Sequence, residues 1–121
     1  MRRSLEYKDT ELVVKLGLVI RLFALKKEVR IPYHTIKSTV VDYFKPPAWT
    51  VRMPGTSISP LNIFEGTFKY QDNWYFLSYE HQVPLVIIEL SGHQYRFVVI
   101  ELDKPEQVAA EIRSCINYSY L

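Results

Sequence analysis

Between Pro84 and Tyr118 the sequence runs through two apolar strands and one amphipathic helix, and the rest of the chain has to pack against that unit. Pro84–Leu90 and Tyr95–Leu102 are rich in Val, Ile and Leu, and Ser91-Gly92-His93 supplies the reversal. Glycine accepts the positive φ that a tight hairpin needs. Asp103-Lys104-Pro105-Glu106 reads as a helix start. The Asp carboxylate can accept from a first-turn amide, Glu106 can reach back, and Pro105 suits a position where a missing N–H costs nothing. Val108, Ala109, Ile112, Cys115 and Ile116 recur at helical spacing, leaving Glu111, Arg113 and Asn117 for the wet face.

A chain of 121 residues is expected to form one domain over its whole length, 1–121. Nine Tyr and six Phe against four Gly favour strands, since aromatic rings fit a pleated, half-buried surface. A formal charge of +2 argues against nucleic acid as partner, where a basic stripe is expected. The single Cys rules out an internal disulfide and a multi-cysteine zinc site, which fits a reducing, cytoplasmic setting. Charged residues at Glu6, Lys8, Asp9 and Glu11 stand where a secretion signal would be apolar.

In order, Ser4–Tyr7 and Glu11–Leu16 are strand-like, and Gly17 interrupts the pattern. Residues 18–25 fit a short helix or a strand, and periodicity alone leaves both open. Glu28–Ile31 is a short strand ended by Pro32, Tyr33-His34-Thr35 a tight turn, and Lys37–Phe44 a further strand. Lys45–Leu61, with Pro46, Pro47, Pro54, Pro60 and Gly55, is expected to be one long irregular segment, which in a small domain suggests function. Ile63–Tyr70 alternates, with Phe64, Gly66, Phe68 and Tyr70 on one face and Glu65, Thr67 and Lys69 on the other. Gln71-Asp72-Asn73 turns the chain into Trp74–Tyr79. The total is about seven strands and one helix, a mainly β, α+β chain.

No residue set names a reaction. His34, His81 and His93 lie far apart at turns, with no helical i, i+4 spacing and no neighbouring acidic cluster, so neither a metal nor a cofactor is expected. Cys115 sits on the apolar helix stripe with nothing nearby in sequence to activate it. No two of Asp42, Glu65, Glu80, Glu89 and Glu101 pair as acid and base in the sequence, so no catalytic residue is assigned. Two groups remain as candidate binding residues. Trp49, Arg52, Pro54, Gly55, Thr56 and Ser57 occupy the Pro-rich segment, and Lys26, Lys27 and Arg30 form a modest basic concentration diluted by Glu28.

Several stretches in this order resemble the bacterial pleckstrin-homology-like (bacterial PH) domains. They are Val29-Arg30-Ile31-Pro32 with Thr35-Ile36-Lys37-Ser38, Arg52-Met53-Pro54-Gly55-Thr56-Ser57-Ile58, Glu65-Gly66-Thr67-Phe68, Pro84–Leu90 and Asp103-Lys104-Pro105-Glu106. The resemblance implies a bent antiparallel β-barrel of seven strands with the C-terminal helix capping one end. It also implies a non-enzymatic binding or homo-oligomeric scaffold. Lys26-Lys27-Glu28-Val29-Arg30 lacks the basic pattern of phosphoinositide binders, and the terminal helix lacks their Trp, so specific phosphoinositide binding is not expected.

The leading expectation is therefore a binding or self-assembling module that engages protein through a strand edge or the 45–61 segment. The alternative is a small-molecule or lipid-headgroup binder with weak membrane-surface contact, its barrel mouth lined by Phe64, Phe68, Tyr70, Trp74 and Phe76.

Overall fold

The computed structural model describes residues 3–17, 27–44, 51–58 and 63–119, with side chains described except at 51–58, 63 and 117–119. Over these, nine strands and one helix follow in the order β1 (Arg3–Tyr7), β2 (Glu11–Leu16), β3 (Glu28–Pro32), β4 (Ile36–Asp42), β5 (Val51–Ile58), β6 (Ile63–Tyr70), β7 (Asn73–Tyr79), β8 (Leu85–Leu90), β9 (Phe97–Ile100) and α1 (Pro105–Ser119). The tight turn at Tyr33–Thr35 is a single 3₁₀ turn. Residues 18–25, for which helix and strand both fit the sequence, lie outside the described residues, as do Lys26 and Trp49.

Two sheets result. β1, β2 and β3 form an antiparallel meander, and the larger sheet has the order β4-β8-β9-β7-β6-β5. No closed barrel forms among the described residues. Every pair is antiparallel except β7 with β9, which run parallel. The exception has a plain cause. After β7 the chain passes one strand position and returns as β8, and the Gly92 turn (φ 73°) then drops β9 into the gap. At the β6–β7 turn, Gln71 and Asp72 both take positive φ (48° and 64°), the type I′ geometry that matches strand twist.

The larger sheet is covered on both faces. Phe76, Val86, Ile88, Leu90, Val98 and Ile100 face inward with Leu12, Val14, Leu16, Val29 and Ile31 of the small sheet, and Ile112 of α1 closes this cluster. Ile112 is fully buried, worth about 1.5–3 kcal/mol on transfer alone. On the opposite face, Phe68, Leu77, Tyr79, Leu85 and Val99 form a second cluster with Phe44, Phe64, Tyr75 and Phe97 around it. Rings meet there at short range, Phe64 with Tyr79 at 5.1 Å and Tyr75 stacked on Phe97 at 5.2 Å between centroids.

The mainly β chain with one C-terminal helix agrees with expectation, but nine strands stand among the described residues in place of about seven antiparallel ones, and β9 pairs parallel with β7. Three local expectations change as well. The segment expected to be irregular over Lys45–Leu61 contains strand β5, paired to β6 with Gly55 opposite Gly66 and Thr56 opposite Glu65. The ladder slips between Arg52 and Gly55, so Pro54, which cannot donate, falls in a bulge at a sheet edge, where proline is tolerated. The five aromatics assigned to one barrel mouth do not share a face. Phe68 belongs to the outer cluster with Phe64 packed on it, whereas Phe76 lies in the inner one with Trp74 against it. Helix α1 begins at Pro105 and presents the expected stripe, but its first turn closes on a backbone group. The N–H groups of Gln107 and Val108 both reach the Lys104 carbonyl at 3.1 Å, and Lys104 takes a left-handed φ of 52°.

Candidate functional site

The polar residues that the topology gathers lie where β1 crosses the end of the large sheet. β6 turns Glu65 and Thr67 toward the interior, since residues two apart share a face and Glu65 pairs with Ser78. The Glu65 side chain is fully buried, and Arg3 reaches it from β1 with Nη2 2.6 Å from Oε1. Arg3 Nε donates to Ser78 Oγ at 2.6 Å, and Ser78 Oγ donates to Glu65 Oε2 at 2.6 Å. Three buried polar side chains thus satisfy one another and tie the small sheet to the large one. Burial pushes the Glu65 carboxyl above its ordinary range, against the opposing pull of Arg3 and Ser78.

Beside this triad runs the link from β7 to β8, which crosses past the end of β9. Its amides have left the sheet, and the Glu101 carboxylate collects them. Oε1 accepts from Glu80 N–H at 2.8 Å and His81 N–H at 3.0 Å, and Oε2 lies 2.6 Å from His81 Nδ1. Burial acts to raise the Glu101 carboxyl, but the two amides and the His81 ring together hold it below the ordinary range. The hydrogen bond to Glu101, with its charge, lifts His81 above the usual imidazole value. Arg3, Glu80, His81, Glu101 and Asp103 line a cleft of about 750 Å³.

His81 therefore has acidic neighbours, contrary to the expectation that the histidines stand apart from acids. Glu80, His81 and Glu101 each bring a potential ligand atom within 4.8 Å of the others. The donors are already spent, however. Both Glu101 oxygens hold the link, and the Arg3 guanidinium stands 3.9 Å from Glu80 Oε1. The arrangement works as a clasp on the β7–β8 link. No sequence motif announces it, because Glu101 and Glu80 are brought together by the insertion of β9.

The residues singled out from sequence fall in different places. Arg52, Pro54, Gly55, Thr56 and Ser57 all lie in β5, an outer strand of the large sheet. Lys27 and Arg30 are exposed at β3 of the small sheet, beside a cleft of about 350 Å³ that Glu28, His93 and Tyr95 also line. Arg30 is engaged by Glu11 at 2.6 Å and Glu28 at 2.7 Å. The two groups share no ladder. Cys115 is half-buried against the inner core.

Among the described residues no helix is long and apolar enough to cross a membrane. No family model, curated protein or solved structure matches this chain.

Proposed function

We propose that this chain is a cytoplasmic, non-enzymatic binding and self-assembly module of the bacterial PH-like type, and that its partner is protein, first of all a second copy. One observation carries the reading. β4 and β5 are the outer strands of the six-stranded sheet, each paired on one side only among the described residues. Unpaired strand edges recruit further strands unless blocked. On β4, Val40 is 45% exposed, and Tyr43 just beyond it is 64% exposed. The block is partial. Arg113 of α1 donates from Nε and Nη2 to the Thr39 carbonyl at 3.1 and 2.6 Å, covering one peptide group beside the helix. Tyr43, past the end of β4, keeps its ring in solvent.

The PH-like reading draws support from the strand-rich chain, its two sheets and the helix docked on their shared core. A barrel in the PH sense remains part of this proposal. A headgroup-binding module is the second reading, favoured by Lys27 and Arg30 beside the smaller cleft. The engagement of Arg30 by two carboxylates counts against it.

Light scattering on the whole chain at micromolar concentration tests the assembly, with Val41→Pro and Trp49→Ala alongside. Val41 presents its peptide groups to the same side of β4 as Thr39, so proline there removes a donor from that edge. A parent heavier than a monomer, with either variant shifted toward the monomer, supports the reading. A cleanly monomeric parent overturns it.

A further inference from the structure

His93, in the turn between β8 and β9, uses both ring nitrogens. Nε2 lies 2.8 Å from the Arg30 carbonyl oxygen on β3, and Nδ1 lies 3.0 Å from the Tyr95 amide nitrogen. A carbonyl only accepts and an amide N–H only donates, so the contacts assign the ring's protons. Nε2 carries the hydrogen and Nδ1 offers its lone pair. The neutral imidazole bridges the small sheet to the large one across 63 residues of sequence.

A second proton has nowhere to go but Nδ1, where it meets the Tyr95 N–H head-on. The Tyr95 side cannot yield cheaply. Its ring is 1% exposed within the inner core, stacks 5.8 Å from the His93 ring, and its hydroxyl lies 2.8 Å from Thr67 Oγ1. The charged groups facing His93 from β3 and its approach are Lys27, Glu28 and Arg30. Glu28, the one carboxylate among them, is held by Arg30 Nε at 2.7 Å. From the hairpin, Arg96 is bound to Glu89 at 2.9 Å. No uncommitted carboxylate lines this cleft among the described residues to compensate an imidazolium.

We propose that His93 is a proton-sensitive clasp on the β8–β9 turn, closed onto the Tyr95 amide by the neutral ring and opened there by its protonation. The charged ring can still donate from Nε2 to the Arg30 carbonyl, so opening releases the Tyr95 amide. This stands apart from the assembly reading and holds for a monomer as well.

Nitrogen–proton correlation spectra of the ring on the whole chain at about pH 7.5 are expected to show the Nε2–H tautomer. The opposite tautomer, or a mixture of the two, overturns the proposal. Hydrogen exchange at the Tyr95 amide, corrected for intrinsic rates, is expected to lose about tenfold in protection between about pH 7.5 and about pH 5, while the Val98 amide keeps its own. In His93→Gln the side-chain amide can make both contacts but does not titrate, so the loss should disappear. Protection unchanged with pH in the parent, or an equal loss in His93→Gln, sinks the proposal.

Discussion

Arg3 and Glu65 meet at 2.6 Å across two sheets and 62 residues of sequence, with side chains only 4% and 0% exposed. The pairing matches the charge that β6 buries at Glu65, since an isolated buried carboxylate is costly and would be driven to take up a proton.

Breaking that pair from one side should therefore be severe. Arg3→Met leaves Glu65 buried and uncompensated, with an expected loss of roughly 3–5 kcal/mol in chemical denaturation. Arg3→Met combined with Glu65→Leu removes both charges and should recover most of the loss. Equal losses for the single and double variants would show that the pair is not the joint between the sheets.

Ile112→Asp sets a charge at the closed centre of the inner cluster, where Ile112 has no exposed surface. The expected cost is several kcal/mol, enough to unfold a marginal domain. A variant that melts with the parent would mean that α1 is not docked on the core.

The Glu101–His81 clasp makes a signed pH prediction. His81 is raised above its ordinary 6.5, so its contribution is complete below that value and lost as pH rises through the raised value. Glu101 is lowered from 4.5, so its contribution is complete above 4.5 and lost as pH falls through the lowered value. Glu65, raised by burial, acts oppositely to Glu101, because its contribution fades as pH climbs from 4.5 through its raised value. Melting curves of the parent and His81→Gln should differ most between 4.5 and 6.5 and converge on the alkaline side. A gap that widens as pH rises from 6.5 would contradict the assigned direction.

Anionic vesicles should bind weakly and release at moderate salt. Arg30 already spends its charge on Glu11 and Glu28, and the formal net charge is only +2. Co-sedimentation that resists salt and selects one phosphoinositide headgroup would transfer the argument to the second reading.

Local patterns carried much of this fold into view. The β1–β2 strands, the alternation of Ile63–Tyr70, the Gly92 reversal and the Ile112 stripe all depend on short-range rules, in which spacing of two or 3.6 residues and a glycine or proline decide the element. The strand in Val51–Ile58 escaped those rules, because Pro54 and Gly55 read as breakers until a sheet edge and a bulge make room for them. Alternation showed that Glu65, Thr67 and Lys69 share a face. It could not show that a sheet from the other end of the chain covers Glu65, since period says which residues lie together and never what lies against them. Only tertiary structure slipped β9 between β7 and β8, brought Glu101 under the Glu80 and His81 amides, and set His93 between Arg30 and Tyr95. The Glu101 contacts and the His93–Arg30 contact join residues 20 to 63 positions apart, and no window of sequence contains both partners with a reason to meet.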